Sequence, residues 1–332
     1  MNRRPSADRR VWSVTTAVLV VLIMALALPG ALSANDATLT PDTALLNQLS
    51  ARAHLTLPPF APVTAPAEGG SALPPGERAA LTERIAAIDA EHGAHFGIAV
   101  QDLRTGTTYS YNPHHRFPTA SVAKLTVLTM FLMQAEEEGR ELTAAERAEA
   151  EQMIRYSDNS VTDGFYSRLG FTDGFVRHAG DLGFTGTEPH PGGSWGSTMT
   201  TPADQVRLLR ALYTDEGPLS PQDRAHVRGL MEGVAPEQAW GVSAAAAAGD
   251  TVGLKNGWTP RSSNGGLWNV NSVGYVSGPE HEYLVAVLSD GNPDYTSGVA
   301  LLELLVTEVI AAIEAPAAPD GAHSHDTSAT AR

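Results

Sequence analysis

Two lysines occur in this 332-residue chain, Lys124 and Lys255, and the other basic positions are arginine. A lysine amine can lose its proton when buried or crowded by a second cation, and a guanidinium cannot. Both positions therefore point to chemistry that needs an amine. Lys124 closes Ser121-Val122-Ala123-Lys124, Lys255 opens Lys255-Asn256-Gly257, and Ser157-Asp158-Asn159 lies between them. A serine one helical turn before a lysine shares its face, and an amine of lowered pKa can act as base for that hydroxyl. The ammonium of Lys255 would lower the Lys124 pKa by like-charge repulsion. The Ser121 backbone N–H falls among the free donors of a helix N-terminus, where a developing oxyanion can be held. Ser157 can relay a proton to a leaving nitrogen, and Asn159 offers an amide donor and acceptor to an amide substrate. The chemistry is acyl transfer through a covalent ester on Ser121.

These residues need rigid elements. Helical spacing runs through Leu81, Ile85 and Ile88 between Glu77 and Glu91, and 96–100 and 107–111 read as strands joined at Thr105-Gly106. A helix is predicted from near Ala120 through Leu132, and helical segments should dominate from Ala144 to Leu212. Trp268–Val276 and Tyr283–Ser289 read as strands, and Ser297–Glu314 as a closing helix. Strands at both chain ends with helices between them predict an α+β fold. An antiparallel sheet would be completed by distant segments, with helices packed against it.

The flanks differ from this folded part. Residues 1–34 read as an export signal: arginine pairs precede an apolar run from Val11 to Leu28, followed by small residues. An uncleaved membrane anchor over residues 11–32 is the alternative. Residues 35–76 form a Pro/Ala-rich linker, 77–314 the catalytic domain, and 315–332 a disordered tail. The formal net charge is −15; residues 1–34 hold four arginines against one aspartate, which leaves −18 on the remainder. So acidic a chain argues against a nucleic-acid partner, which needs a basic patch. The absence of cysteine excludes disulfides, a lipid-anchor cysteine and thiol chemistry.

With its three ordered motifs the chain resembles the penicillin-recognising serine hydrolases, most closely the class A β-lactamase-like domain. The resemblance covers about residues 79–314. It rests on the 117–124 stretch ending in the serine–lysine motif, on Ser157-Asp158-Asn159 and on Lys255-Asn256-Gly257-Trp258, with Met199-Thr200-Thr201-Pro202 in support. It implies a β-lactamase/transpeptidase-like fold with an antiparallel sheet, flanking helices and a reduced all-helical subdomain. It makes Ser121 the acylated nucleophile, Lys124 its base and Ser157 the proton shuttle. Asn159 would bind the substrate amide, Lys255 would steady the substrate carboxylate and the charge at Ser157, and Trp258 would supply the second oxyanion N–H beside that of Ser121. Asn256 stands where the family usually has a threonine, and its amide would donate to the carboxylate from beside Gly257. The stretch between Ser121 and Ser157 is shorter than usual. Glu188, followed by Pro189, is the nearest candidate for the deacylating glutamate, but His190-Pro191-Gly192-Gly193 replaces the usual Leu-Asn.

Other motifs carry less. Gly192-Gly193-Ser194-Trp195-Gly196 matches a nucleophile elbow but lacks the strand before and the helix after that the elbow needs. His114-His115 and His92/His95 lack carboxylates at ligand spacing, and His323 and His325 sit as a pair on a loose tail, so no metal is expected. Tyr109, Tyr111 and Trp195 are candidates for cleft walls, and Arg261 for an added cation. The reading is an exported serine hydrolase without a cofactor, a monomer acting on β-lactams. The alternatives are a D,D-peptidase or esterase on cell-wall peptides, and a slowly deacylating penicillin-binding receptor.

Overall fold

The structure, a computed structural model, describes residues 73–315. The export signal or anchor, most of the linker and the tail, with His323 and His325, lie outside the described residues. The first helix, α1 (Pro75–His92), starts on a proline at its first turn and stops at Gly93, whose left-handed φ of 66° suits a residue without Cβ. The hairpin β1 (His95–Asp102) and β2 (Thr108–Tyr111) follows, then the short β3 (Phe117–Pro118).

A 3-10 turn over Ala120–Val122 leads into α2 (Ala123–Glu137), so the helix predicted near Ala120 begins with a tighter turn that carries Ser121. Next come α3 (Ala144–Arg155), opened by a capping box between Thr143 and Glu146, and α4 (Asn159–Leu169), capped by Asp158 on the Val161 N–H. The helix α5 (Phe171–Ala179) ends the unbroken helical run. Residues 180–201 are not helical, contrary to expectation: glycines and prolines interrupt the stretch, which holds only a 3-10 turn over Trp195–Ser197 and the short β4 (Met199–Thr200). Helices α6 (Pro202–Tyr213) and α7 (Pro221–Glu232) each start on a capped proline.

Three long strands then form: β5 (Thr251–Pro260), β6 (Trp268–Ser277) and β7 (Glu282–Asn292), before the closing helix α8 (Tyr295–Glu314). The sheet runs β2-β1-β7-β6-β5, every neighbour antiparallel, so distant chain segments meet at β1 and β7 as expected. Strand β5 carries Lys255 on an outer edge.

Period-two alternation divides β7 between two cores. Leu284, Ala286 and Leu288 join the cluster around α2 and its neighbouring helices. Tyr283, Val285 and Val287 join Leu81, Ile85, Leu301, Leu305 and Val309 of α1 and α8. Helix α8, with a mean hydropathy of 1.8, is long and apolar enough to cross a membrane by composition, but it packs on β6, β7 and α1. The sheet thus has helices on both faces.

Candidate active site

Three elements converge on Ser121. Its turn lies against β5 so closely that a Cβ at Gly257 would fall 2.7 Å from the backbone nitrogens of Ser121 and Val122 and from the Thr119 carbonyl oxygen. Glycine at 257 is a steric requirement of the turn that carries Ser121. The preceding carbonyls are held from β6: Asn271 Nδ2 donates to those of Pro118 and Thr119 at 2.8 and 3.1 Å, and Asn269 Nδ2 to Pro118 at 3.0 Å. Both asparagines are fully buried. The sequence reading missed them; the one signal was polar residues alternating inside an apolar strand. Ala120, immediately before Ser121, has φ of 46°, and Ser157 has 61°. Left-handed backbone costs a residue with a Cβ about 1 kcal/mol, so packing holds Ala120 and Ser157 under strain.

One turn along, Lys124 is fully buried. Its ammonium donates to the Ser157 carbonyl, to Ser157 Oγ at 2.9 Å and to Asn159 Oδ1 at 2.7 Å. From β5, the Lys255 ammonium donates to the same Ser157 Oγ at 3.1 Å and to the Asn256 carbonyl at 2.9 Å. The Ser121 hydroxyl makes no hydrogen bond among the described residues.

Burial lowers the Lys124 pKa to about 8, against the opposing pull of Asp158 and Asp163. Burial also pushes Lys255 well below its ordinary value, and the Lys124 charge adds to that. Burial, rather than repulsion from Lys255, is the leading cause at Lys124, which corrects the expectation; the repulsion registers at Lys255.

Trp195 closes this corner. Its ring centroid lies 5.0 Å from Lys124 Nζ, and its indole N–H donates to Asp163 Oδ1 at 2.7 Å, joining the 180–201 segment to α4. Of the aromatic candidates, Trp195 alone reaches the lysine. Tyr109 and Tyr111 bond Thr82 and Asp89 of α1.

Two expected contacts are not made. Both N–H groups of Asn256 are committed to the carbonyls of Gln238 and Trp240, at 2.7 and 3.0 Å, in a fully buried position. No donor is left there for a substrate carboxylate. Glu188 is 64% exposed and pairs with Arg116 at 2.8 Å, while its backbone pairs with Met199. It bonds none of Ser121, Lys124 or Ser157, so its position gives no support to a deacylating role. Trp258 follows Gly257 on the outer strand, half-buried, its ring packed on Trp240 and Tyr295. Ser194 is exposed and bonds Ser197, which leaves the nucleophile-elbow reading without its strand and helix.

The family model of the beta-lactamase enzyme family matches residues 80–149 and 139–313. The chain belongs to the beta-lactamase enzyme family. Within it, the chain is 31% identical over 242 residues to LppW of Mycobacterium tuberculosis, named as a lipoprotein, covering 70% of this chain and 73% of that one. A beta-lactamase of Streptomyces cellulosae is 30% identical over 88 residues, 26% of each chain. Among solved structures, the TLA-1 extended-spectrum beta-lactamase superposes with a TM-score of 0.64 at 16% identity, covering 71% of this chain and 99% of that one. A beta-lactamase from Xanthomonas campestris gives 0.60 at 20%, covering 71% and 98%. These two likenesses establish the β-lactamase-like α+β fold.

Proposed function

We propose that this β-lactamase-family protein is a serine hydrolase that forms an acyl-enzyme on Ser121. One observation carries the reading: both buried lysines donate to the single oxygen Ser157 Oγ. With two donors bound, that hydroxyl directs its own proton away from the lysines, toward a leaving nitrogen. The neutral fraction of Lys124 takes the Ser121 proton as Oγ attacks the substrate carbonyl. The carbonyl oxygen becomes an oxyanion facing the backbone N–H groups of Ser121 and Trp258. The C–N bond breaks as the amine takes the Ser157 proton, and Lys124, now protonated, restores that proton to Ser157. The Asn159 amide, whose oxygen accepts from Lys124, keeps its N–H groups for the substrate amide. Lys255 places positive charge beside the position of a substrate carboxylate. β-Lactams and D-alanyl cell-wall peptides share this anionic amide chemistry.

A second reading concerns the step after acylation. With Glu188 on the surface and an indole over Lys124, no carboxylate bonds the Ser121–Lys124 pair among the described residues. This favours an acyl-enzyme that hydrolyses slowly, as in a penicillin-binding peptidase or receptor. An extracytoplasmic location goes with it, supported by the export-signal reading of residues 1–34 and by the lipoprotein name of LppW.

Intact-mass analysis over time with a penicillin, beside Ser121→Ala, tests both readings. An adduct on the wild type and none on Ser121→Ala supports the nucleophile. Persistence for hours supports slow deacylation, and decay within seconds with antibiotic consumed overturns it. An equal adduct on Ser121→Ala overturns the mechanism.

A further inference from the structure

At the far end of α2 from Lys124, about 20 Å along the helix axis, three ligand-type side chains meet with nothing to bind. His178, near the end of α5, is completely buried, and neither ring nitrogen has a hydrogen-bond partner among the described residues. A buried polar group left unpaired costs about 1–3 kcal/mol, so such a ring calls for an explanation. Its Nδ1 lies 3.6 Å from Glu137 Oε1, too far for a hydrogen bond. Asp181 sits three residues after His178, and the three ligand atoms all lie within 4.8 Å of one another.

The surroundings favour a cation. Glu137 is the last residue of α2, and α5 ends at Ala179. The partial negative charge of two helix C-termini therefore adds to two carboxylates. No lysine or arginine forms an ion pair with Glu137 or Asp181 among the described residues; Arg177, the neighbouring cation, pairs with neither.

We propose that Glu137, His178 and Asp181 form a divalent-cation site of the zinc class, which ties the end of the Lys124 helix to α5. Imidazole with two carboxylates suits zinc over calcium or magnesium, which take oxygen ligands. Zinc bound tetrahedrally about 2.1 Å from each donor needs ligand separations of about 3.4 Å. Glu137 and Asp181, both exposed, reach that by side-chain rotation, while His178 is already fixed by packing. The spacing is invisible in the sequence because Glu137 lies on a different helix. The proposal is independent of the acylation chemistry.

The test uses the full chain, stripped of metal with a chelator and titrated with zinc chloride by calorimetry and thermal melting. The expected result is one tight site and a melting temperature that rises with zinc. Asp181→Asn and Glu137→Gln, both at exposed positions, should melt like the wild type without metal and bind zinc at least tenfold more weakly. His178→Ala should lose the site too, although its buried position makes the exposed variants the deciding ones. Zinc binding undiminished in both exposed variants would place the metal elsewhere, for example on His323 and His325, and overturn the proposal. No zinc-dependent rise in the wild type, or tighter binding of calcium than zinc, would also overturn it.

Discussion

Lys124 binds three acceptors at once, so it rests as an ammonium and becomes a base by losing a proton to solvent. With its pKa near 8, the neutral fraction grows from about a tenth at pH 7 to about a half at pH 8. The rate of Ser121 acylation should climb with that midpoint; a rate flat between pH 6 and 9 in stopped-flow acylation would remove Lys124 as the base. The same shift acts on stability. The folded pKa lies below the ordinary lysine value of 10.5, so the unfolded chain binds more protons between about pH 8 and 10.5. Lys124 therefore makes a contribution to stability that rises with pH across that window. Lys124→Met should flatten that rise in urea denaturation. Trp195→Ala should let water reach the amine, and because burial is the leading cause of the lowered pKa, the acylation midpoint should move upward from 8. Trp195→Phe, which keeps an aromatic face, should move it less. Ser121, Lys124, Ser157, Asn159 and Lys255 were legible because each motif is local and the types are chemically specific. Trp195 was legible only as a candidate cleft wall, and the asparagines of β6 were not assigned, because their partners lie far away in sequence. Asn256 and Glu188 read differently in three dimensions, one drawn into a buried hydrogen-bond pair and the other turned to solvent.

Between α5 and α6 the chain has only a 3-10 turn and the short β4, and one aspartate holds the stretch before them. Asp204, in the first turn of α6 and fully buried, accepts from the Thr185 and Gly186 N–H groups at 3.1 and 2.8 Å. It also accepts from the Thr187 hydroxyl at 2.8 Å and from Arg207 at 2.6 Å. Asp204→Ala would leave those donors unpaired and cost about 3 kcal/mol, with charge-assisted hydrogen bonds worth about 1.5–3 kcal/mol each and not additive. Chemical denaturation should show that loss, and acylation should slow as the segment bearing Trp195 loosens. A stability within 0.5 kcal/mol of wild type, roughly the range of ordinary surface substitutions, would show that the segment is held by other contacts. The long helices and the β6 and β7 strands were readable from apolar periodicity. The 180–201 stretch was overread as helical, because its structure comes from side-chain bonds to Asp204 and from glycine turns, which periodicity does not register. Strand β5 was obscured by its own chemistry: Lys255-Asn256-Gly257 reads locally as a turn, and pairing with β6 makes it a strand.

Across the whole molecule, both lysines of the cleft depend on a sheet whose central partners come from opposite ends of the described chain. Leu288→Ala on β7, fully buried in the core that α2 and its neighbouring helices share with the sheet, should cost about 2–5 kcal/mol, and a loss below 1 kcal/mol by calorimetry would contradict the packing described. The antiparallel α+β arrangement itself was legible from strands at both ends with helices between. The strand order also has a bearing on how the protein is made. Because β7 sits between β1 and β6, the hairpin emerging first from a ribosome has no inner neighbour until residue 292 has been synthesised. Until then the early helices gather around an unfinished sheet with bare edges, open to mispairing. Such long-range closure is slow, and the nascent chain stays pliable until nearly all of it has been synthesised.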